Sequence, residues 1–299
     1  MTTVSTSQAK LLDPGLRSIY NDEAALFPDE FPPFVHVETM DEPYITEYKM
    51  AFFGLIPGQP EGQAVTYDDT LPGTTKRFDP TPYGLGFRIT KIALRDDRYS
   101  QLKRAPKHLA RSVKQTVNTL GAAAYNNAFS TSFVGFNAGE ALCSTSHALL
   151  GGGTYANRPN PDIDLSVAGL QAMKIRCEKT VSERGFNTPW QPTILVIPTE
   201  SQFIADEILK TPKLPYTTEN TINTVAGMLQ YRIWHFLSDT DAWYAINPAI
   251  HTIRCYWRDK PEFSSGDDFD TGDSKHKVWL RFMESQYTDW RGIDGSQGA

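Results

Sequence analysis

Residues 141–159 carry the side chains with the clearest chemical potential. Cys143, Ser144, Ser146 and His147 fall within five positions, and Gly151, Gly152, Gly153, Tyr155, Asn157 and Arg158 follow. A thiol or hydroxyl nucleophile needs a base within hydrogen-bond reach, and that base needs a group to orient it. Adjacency in sequence supplies neither, and no Gly-x-Ser-x-Gly elbow surrounds these serines. The glycines lack the Lys-Ser/Thr of a phosphate loop and the spacing of a dinucleotide fingerprint. Two readings remain: a cysteine or serine hydrolase using the Cys143–His147 cluster, or a turn-rich connection that shapes backbone. The second is preferred, because the rest of the chain provides no catalytic partner set.

No other cluster has the spacing of a catalytic or metal site. The histidines, His36, His108, His147, His235, His251 and His276, include no i, i+4 pair and no His-Glu-x-x-His. Asp267, Asp268, Asp270 and Asp273 crowd one loop without the order of an EF-hand, so a solvated turn is expected. Cys143, Cys177 and Cys255 form neither a disulfide framework nor a zinc pattern, and reduced thiols are expected. The chain is therefore read as a non-enzyme, with no catalytic residue, cofactor or metal.

Charge adds a local contrast. Twenty-nine basic residues against 35 acidic ones give a net charge of −6 over 299 residues. That excludes a surface that seeks nucleic acid throughout. Within 91–114, however, Lys91, Arg95, Arg98, Lys103, Arg104, Lys107, Arg111 and Lys114 face only Asp96 and Asp97. This basic stretch suits phosphate backbones without sequence readout. It equally suits the acidic residues Asp22, Glu23, Asp29 and Glu30, or the 267–273 loop, of a neighbouring copy. No aromatic residues interleave to stack bases.

The elements that must position these groups read as α+β without βαβ regularity. Residues 1–45, cut by five prolines, predict an extended arm with at most a short helix over 14–20. Residues 48–56 and 76–90 predict the legs of a long hairpin. Between Gly54 and Gly86 lie six glycines and five prolines, the chemistry of a broad tip. Legs of ~15 residues would reach about 50 Å. The hairpin carries Phe52, Phe53, Leu55 and Ile56, so it is expected to lie on a neighbouring surface rather than in water. Leu102, Leu109, Val113, Val117, Leu120 and Ala124 share one helical face and predict a long helix over about 106–128. Further helices are expected over 165–180 and 200–211. Strands are expected over 193–198, 231–237, 241–247, 251–259 and 275–287, and a loose tail from Ile293. The N-terminal ten residues lack a signal-peptide layout, and no apolar run is long enough to span a bilayer. A soluble protein made in the cytoplasm, without a membrane partner, is expected.

An ordered series of strings adds an identity. Thr145-x-His147 with Gly152-Gly-Thr-Tyr155-x-Asn157 comes first. Arg184-Gly185 then precedes Pro192-Thr-Ile-Leu-Val-Ile-Pro198. Ala205-Asp-Glu-Ile-Leu-Lys210, Asn220-Thr-Ile-Asn223 and Asp239-Thr-Asp-Ala-Trp-Tyr244 follow. Phe269-Asp-Thr-Gly272 and Tyr287-Thr-Asp-Trp-Arg-Gly292 close the series. Over about 85–295 this set resembles the Mu-like major head subunit family of tailed-phage major capsid proteins. Cys143 and Ala148 depart from it, standing where an aromatic residue and a proline are expected.

The resemblance implies the Hong Kong 97 capsid fold: an N-terminal arm (1–45), an extended loop (46–90), a peripheral domain with a spine helix (91–155), an axial domain (156–250) and peripheral return strands with the C-terminus (251–299). It implies pentamers and hexamers of the chain closing an icosahedral shell around double-stranded DNA, bound without sequence specificity. It also implies portal and scaffolding partners and location in the virion after assembly in the host cytoplasm. On this reading Arg98, Lys103, Arg104, Lys107, Arg111 and Lys114 face DNA or a neighbour, and Phe52, Phe53, Leu55 and Ile56 make contacts between subunits. Lys76 and Lys49 are the only amines of the 46–90 segment, so the isopeptide cross-linking of some relatives does not carry over. No long charged extension precedes the arm, so a separate scaffold, or none, is expected. A nanocompartment shell of the same fold is the remaining alternative beside the hydrolase.

Overall fold

The computed structural model describes residues 5–96, 101–213, 222–268 and 270–298. The chain opens with helix α1 (Ser5–Leu26), followed by strands β1 (His36–Thr39), β2 (Ile45–Ala51), β3 (Leu71–Phe78) and β4 (Thr81–Ile89). Helices α2 (Lys91–Asp96), α3 (Arg104–Gly121) and α4 (Ala123–Asn126) come next, then the two-residue strands β5 (His147–Ala148) and β6 (Thr154–Tyr155). The second half runs α5 (Val167–Glu178), β7 (Ile194–Ile197), α6 (Gln202–Lys210), β8 (Gln230–Ile233) and β9 (Trp243–Ile246). It ends with β10 (Arg254–Asp267), β11 (Ser274–Gln286) and β12 (Ile293–Ser296).

Two four-stranded sheets organise these elements, with orders β1-β10-β11-β4 and β12-β9-β7-β8. The architecture is α+β, as the sequence predicts. The long β11 shows why the first sheet forms: Ser274, His276, Val278, Leu280 and Phe282 point inward while Lys275, Lys277, Trp279 and Arg281 point outward. Its inner face packs on α3 and α4, and the neighbouring β10 meets α1. In the second sheet the same alternation serves two cores. Val196, Tyr244 and Ile246 join the core shared with the first sheet. Leu195, Ile197, Trp243 and Ala245 face α5 and α6, where Leu170, Met173, Ala205 and Leu209 are buried. Tyr125 ties the pieces together: it packs edge-on against Trp234 and Tyr244, and its hydroxyl donates to the Phe34 carbonyl at 2.9 Å.

Several expectations are corrected. The first segment is largely helical, not extended. Leu16, Tyr20 and Glu23, spaced four and three residues apart, are buried against the chain's own α3, and Pro14 is accommodated inside the helix. The long helix starts at Arg104 and is interrupted only at Ala122. Gly121 is required beside that interruption, because a Cβ there would lie 2.6 Å from Phe31. The 76–90 leg is divided: β3 pairs with β2, whereas β4 belongs to the first sheet as partner of β11. The paired legs are thus seven and eight residues long, about 25 Å rather than 50. The tail from Ile293 is not loose. It forms β12, wholly buried against β9.

Candidate assembly surfaces

The 141–159 segment is a joint buried at Ala141, Leu142, Cys143, His147 and Asn157 and exposed over 151–154. Cys143 is fully buried, its amide bonded to the Ala128 carbonyl, and burial pushes its thiol well above the usual range. His147 is 1% exposed and stacked on Trp290 with ring centroids 4.5 Å apart. The Asn157 amide nitrogen donates to the carbonyls of Leu142 (2.9 Å) and Ile293 (3.1 Å). The Asn157 oxygen therefore accepts, from His147 Nε2 at 2.8 Å and from the Ser144 amide at 2.9 Å. Burial lowers the His147 pKa, while Asn157 and Glu140 pull the other way. Ser144 Oγ is spent on the Ser146 amide at 3.1 Å. No hydrogen bond joins Cys143, Ser144 Oγ or Ser146 Oγ to His147 among the described residues, so a nucleophile–base pair is not assembled. Gly152 and Gly153 take φ of +91° and +88°, which favours glycine, in the turn that returns the chain from β5 to β6.

The apex of the β2–β3 hairpin, 52–70, is almost wholly exposed. Phe52, Phe53, Leu55 and Ile56 are 65%, 66%, 78% and 96% exposed, and Val65 and Tyr67 lie open beside them. The base, by contrast, is firmly anchored. Arg254 meets Glu47 at 2.6 Å, Lys49 meets Glu183 at 3.2 Å, and Thr74 donates to the Phe136 carbonyl at 2.6 Å. Lys76 reaches Gln286 at 2.7 Å and lies over the Phe78 and Tyr287 rings, where burial brings its pKa down to about 8. Both hairpin amines are therefore committed to the chain's own base contacts.

The basic stretch is partly neutralised from within. Arg111 bonds Glu23 at 2.7 Å, Lys107 lies 3.7 Å from the same carboxylate, and Lys114 meets Asp29 at 2.8 Å. The acidic partner expected from a neighbour is thus the chain's own α1 and the segment after it. Lys103 and Arg104 are exposed at the start of α3, a helix without a single acidic residue. Arg98 lies outside the described residues. Asp268 and Asp273 of the acidic loop pair with Lys275 (2.6 Å) and Arg88 (3.6 Å). Among the described residues no group of histidine, cysteine and carboxylate side chains could hold a metal ion, and no helix is long and apolar enough to cross a membrane.

Sequence reasoning missed two ion-pair systems. Arg176 makes a bidentate contact with Asp294 (2.7 and 2.9 Å), joining α5 to β12. Burial raises the Asp294 carboxyl to about 6 despite that partner. Glu183, also buried, gathers Lys49, Arg291 at 2.9 Å and the Leu150 amide at 3.0 Å. Only the Arg184-Gly185 and Trp290-Arg291-Gly292 strings marked these places.

The anatomy has counterparts among known proteins. The fold is similar to the capsid of Ralstonia phage GP4 (TM-score 0.54, 10% identity, covering 89% of this chain and 87% of that one). It is similar to the capsid of cyanophage P-SCSP1u (TM-score 0.53, 11% identity, 89% and 86%). It is also similar to the capsid of bacteriophage JBD30 (TM-score 0.55, 10% identity, 71% and 91%). No curated protein matches the sequence. The sequence does match the family described as phage capsid protein over residues 73–293, about three quarters of the chain. The chain therefore belongs to the phage capsid protein family: it is a major capsid protein, and copies of it build the shell.

Proposed function

We propose that the chain assembles as pentamers and hexamers that close an icosahedral shell around double-stranded DNA, with the hairpin apex as a principal contact between subunits. The observation that carries this reading is the uncovered apex. Six large apolar side chains stand in solvent on a hairpin whose base is held by ion pairs and hydrogen bonds. Large contiguous apolar patches of this kind mark protein-binding surfaces, and shell contacts must match surfaces on neighbouring copies. Replacing Phe53, Leu55 and Ile56 together by serine should leave the thermal unfolding of the unassembled chain nearly unchanged and abolish particles in electron micrographs. Normal particles from that variant would overturn the role of the apex.

The contact with DNA is assigned to the exposed start of α3. Lys103 and Arg104 carry charge without an acidic residue on their helix, as sequence-independent phosphate contacts require. Lys107, Arg111 and Lys114, engaged by Glu23 and Asp29, contribute less free charge. Portal and scaffolding proteins are the further partners, the host cytoplasm is the place of assembly, and no enzymatic step is assigned to the chain.

A further inference from the structure

We propose that Arg184 is the positioning residue of the hairpin apex, closing its neck and fixing it to the turn that follows α5. This rests on the reading of the apex as a contact between subunits. Arg184 donates through Nη2 to the Asp69 carbonyl, and its Nη1 lies 3.2 Å from the Asp68 carboxylate. The same Asp68 carboxylate accepts the Gly54 amide at 2.6 Å from the opposite leg. One guanidinium thus secures the returning leg, and that leg's carboxylate secures the outgoing one. Past this neck the β2–β3 ladder has ended, so no backbone pairing holds residues 54 and 68 together. The Gly54 amide first, and Arg184 after it, hold the Asp68 carboxyl below the usual carboxylate range, so the neck is charged at neutral pH.

The backbone on either side of Arg184 is anchored. Glu183, one residue before it, is buried and bonded to Arg291, Lys49 and the Leu150 amide. Gly185, one residue after it, has φ of +80° and bonds the Ser182 carbonyl at 2.9 Å. A Cβ at Gly151 would lie 2.9 Å from the Glu183 carbonyl and 3.0 Å from Arg184 Cα, so the turn seats directly on bare backbone. The Arg184-Gly185 string thereby gains a physical role: glycine shapes the turn, and the planar fork spans a carbonyl and a carboxylate together. A lysine, a single point charge, cannot span both.

The test uses the full chain with Arg184→Ala, Arg184→Lys and Asp68→Asn. Three quantities are read: the unfolding temperature of the unassembled chain, its cleavage rate within 52–70 by a broad-specificity protease, and the yield of closed particles. Arg184→Ala and Asp68→Asn should each raise cleavage roughly 5- to 10-fold, the effect of losing a hydrogen bond whose charge is screened by solvent at the exposed neck. Particle yield should fall by a similar factor with little change in unfolding temperature, and Arg184→Lys should lie between. If Arg184→Ala unfolds globally, Asp68→Asn, which leaves the 182–186 turn intact, decides alone. Cleavage at the wild-type rate, or faster cleavage with wild-type particle yield, would overturn the proposal. Absence of particles from the wild type would instead count against the shell reading, leaving the neck contact to the cleavage rates.

Discussion

At the residue scale, the side chains that first suggested catalysis act as hydrogen-bonding hardware. Asn157 shows this best, since one buried amide bonds His147, Ser144, Leu142 and Ile293. Asn157→Ala would leave those groups unsatisfied and should cost about 3 kcal/mol, a fall of roughly 5–10 °C in unfolding temperature. Cys143→Ala removes only a small buried thiol, and particles should form normally. A folded Cys143→Ala chain that makes no particles would restore a special role for the thiol. Titration offers a second check. His251 is buried, its ring tilted against that of His36 with centroids 4.5 Å apart; burial first, then His36 and Arg254, hold its pKa down to about 4. The unfolded chain takes up that proton near pH 6.5. Between pH 6.5 and about 4 the unfolded state binds more protons, so stability falls as pH falls, by up to about 3 kcal/mol. Unfolding of His251→Gln should depend less steeply on pH across that window; an unchanged slope would exclude this histidine as the cause.

At the element scale, α1 and α3 form one unit rather than an arm awaiting a neighbour. Glu23 is almost fully buried beneath Arg111 and Lys107. Glu23→Ala should cost about 1–2 kcal/mol and loosen α1, read as faster hydrogen exchange over 14–26. Unchanged exchange there would mean that Leu16 and Tyr20 alone seat the helix. What the sequence reveals follows the same lines. The face of α3 was legible because its apolar residues repeat at the helical period. The hairpin was legible because glycine and proline bracket apolar residues with no partner in sequence. Helix α1 was hidden by its proline, and by a buried face that mixes Leu16 and Tyr20 with a carboxylate. Strand β12 was hidden because Ile-Asp-Gly-Ser offers one apolar side chain, and its buried Asp294 is matched by Arg176, 118 positions away.

At the scale of the whole molecule, the described residues form a body with two large cores and a small third, from which an anchored, uncovered hairpin projects. A projection on one copy that seats on a different surface of the next is a heterologous contact, and such contacts close only when the repeated rotation returns to its start. The Glu183 link to Lys49 and Arg291 ties the base of the projection to the body, and Arg176 with Asp294 joins α5 to β12 within that body. Charge at the start of α3 is a separate matter. Lys103→Ala with Arg104→Ala should preserve particle shape and reduce packaged DNA, measured by absorbance of purified particles; full particles would remove α3 from that role. The measurement that tests the central claim most directly is imaging of the purified wild-type chain by electron microscopy, with sedimentation of the same sample. Closed icosahedral particles of uniform diameter, with fivefold and sixfold capsomers, are the predicted result. A monodisperse species of 33.5 kDa under every condition of salt, pH and concentration would contradict it.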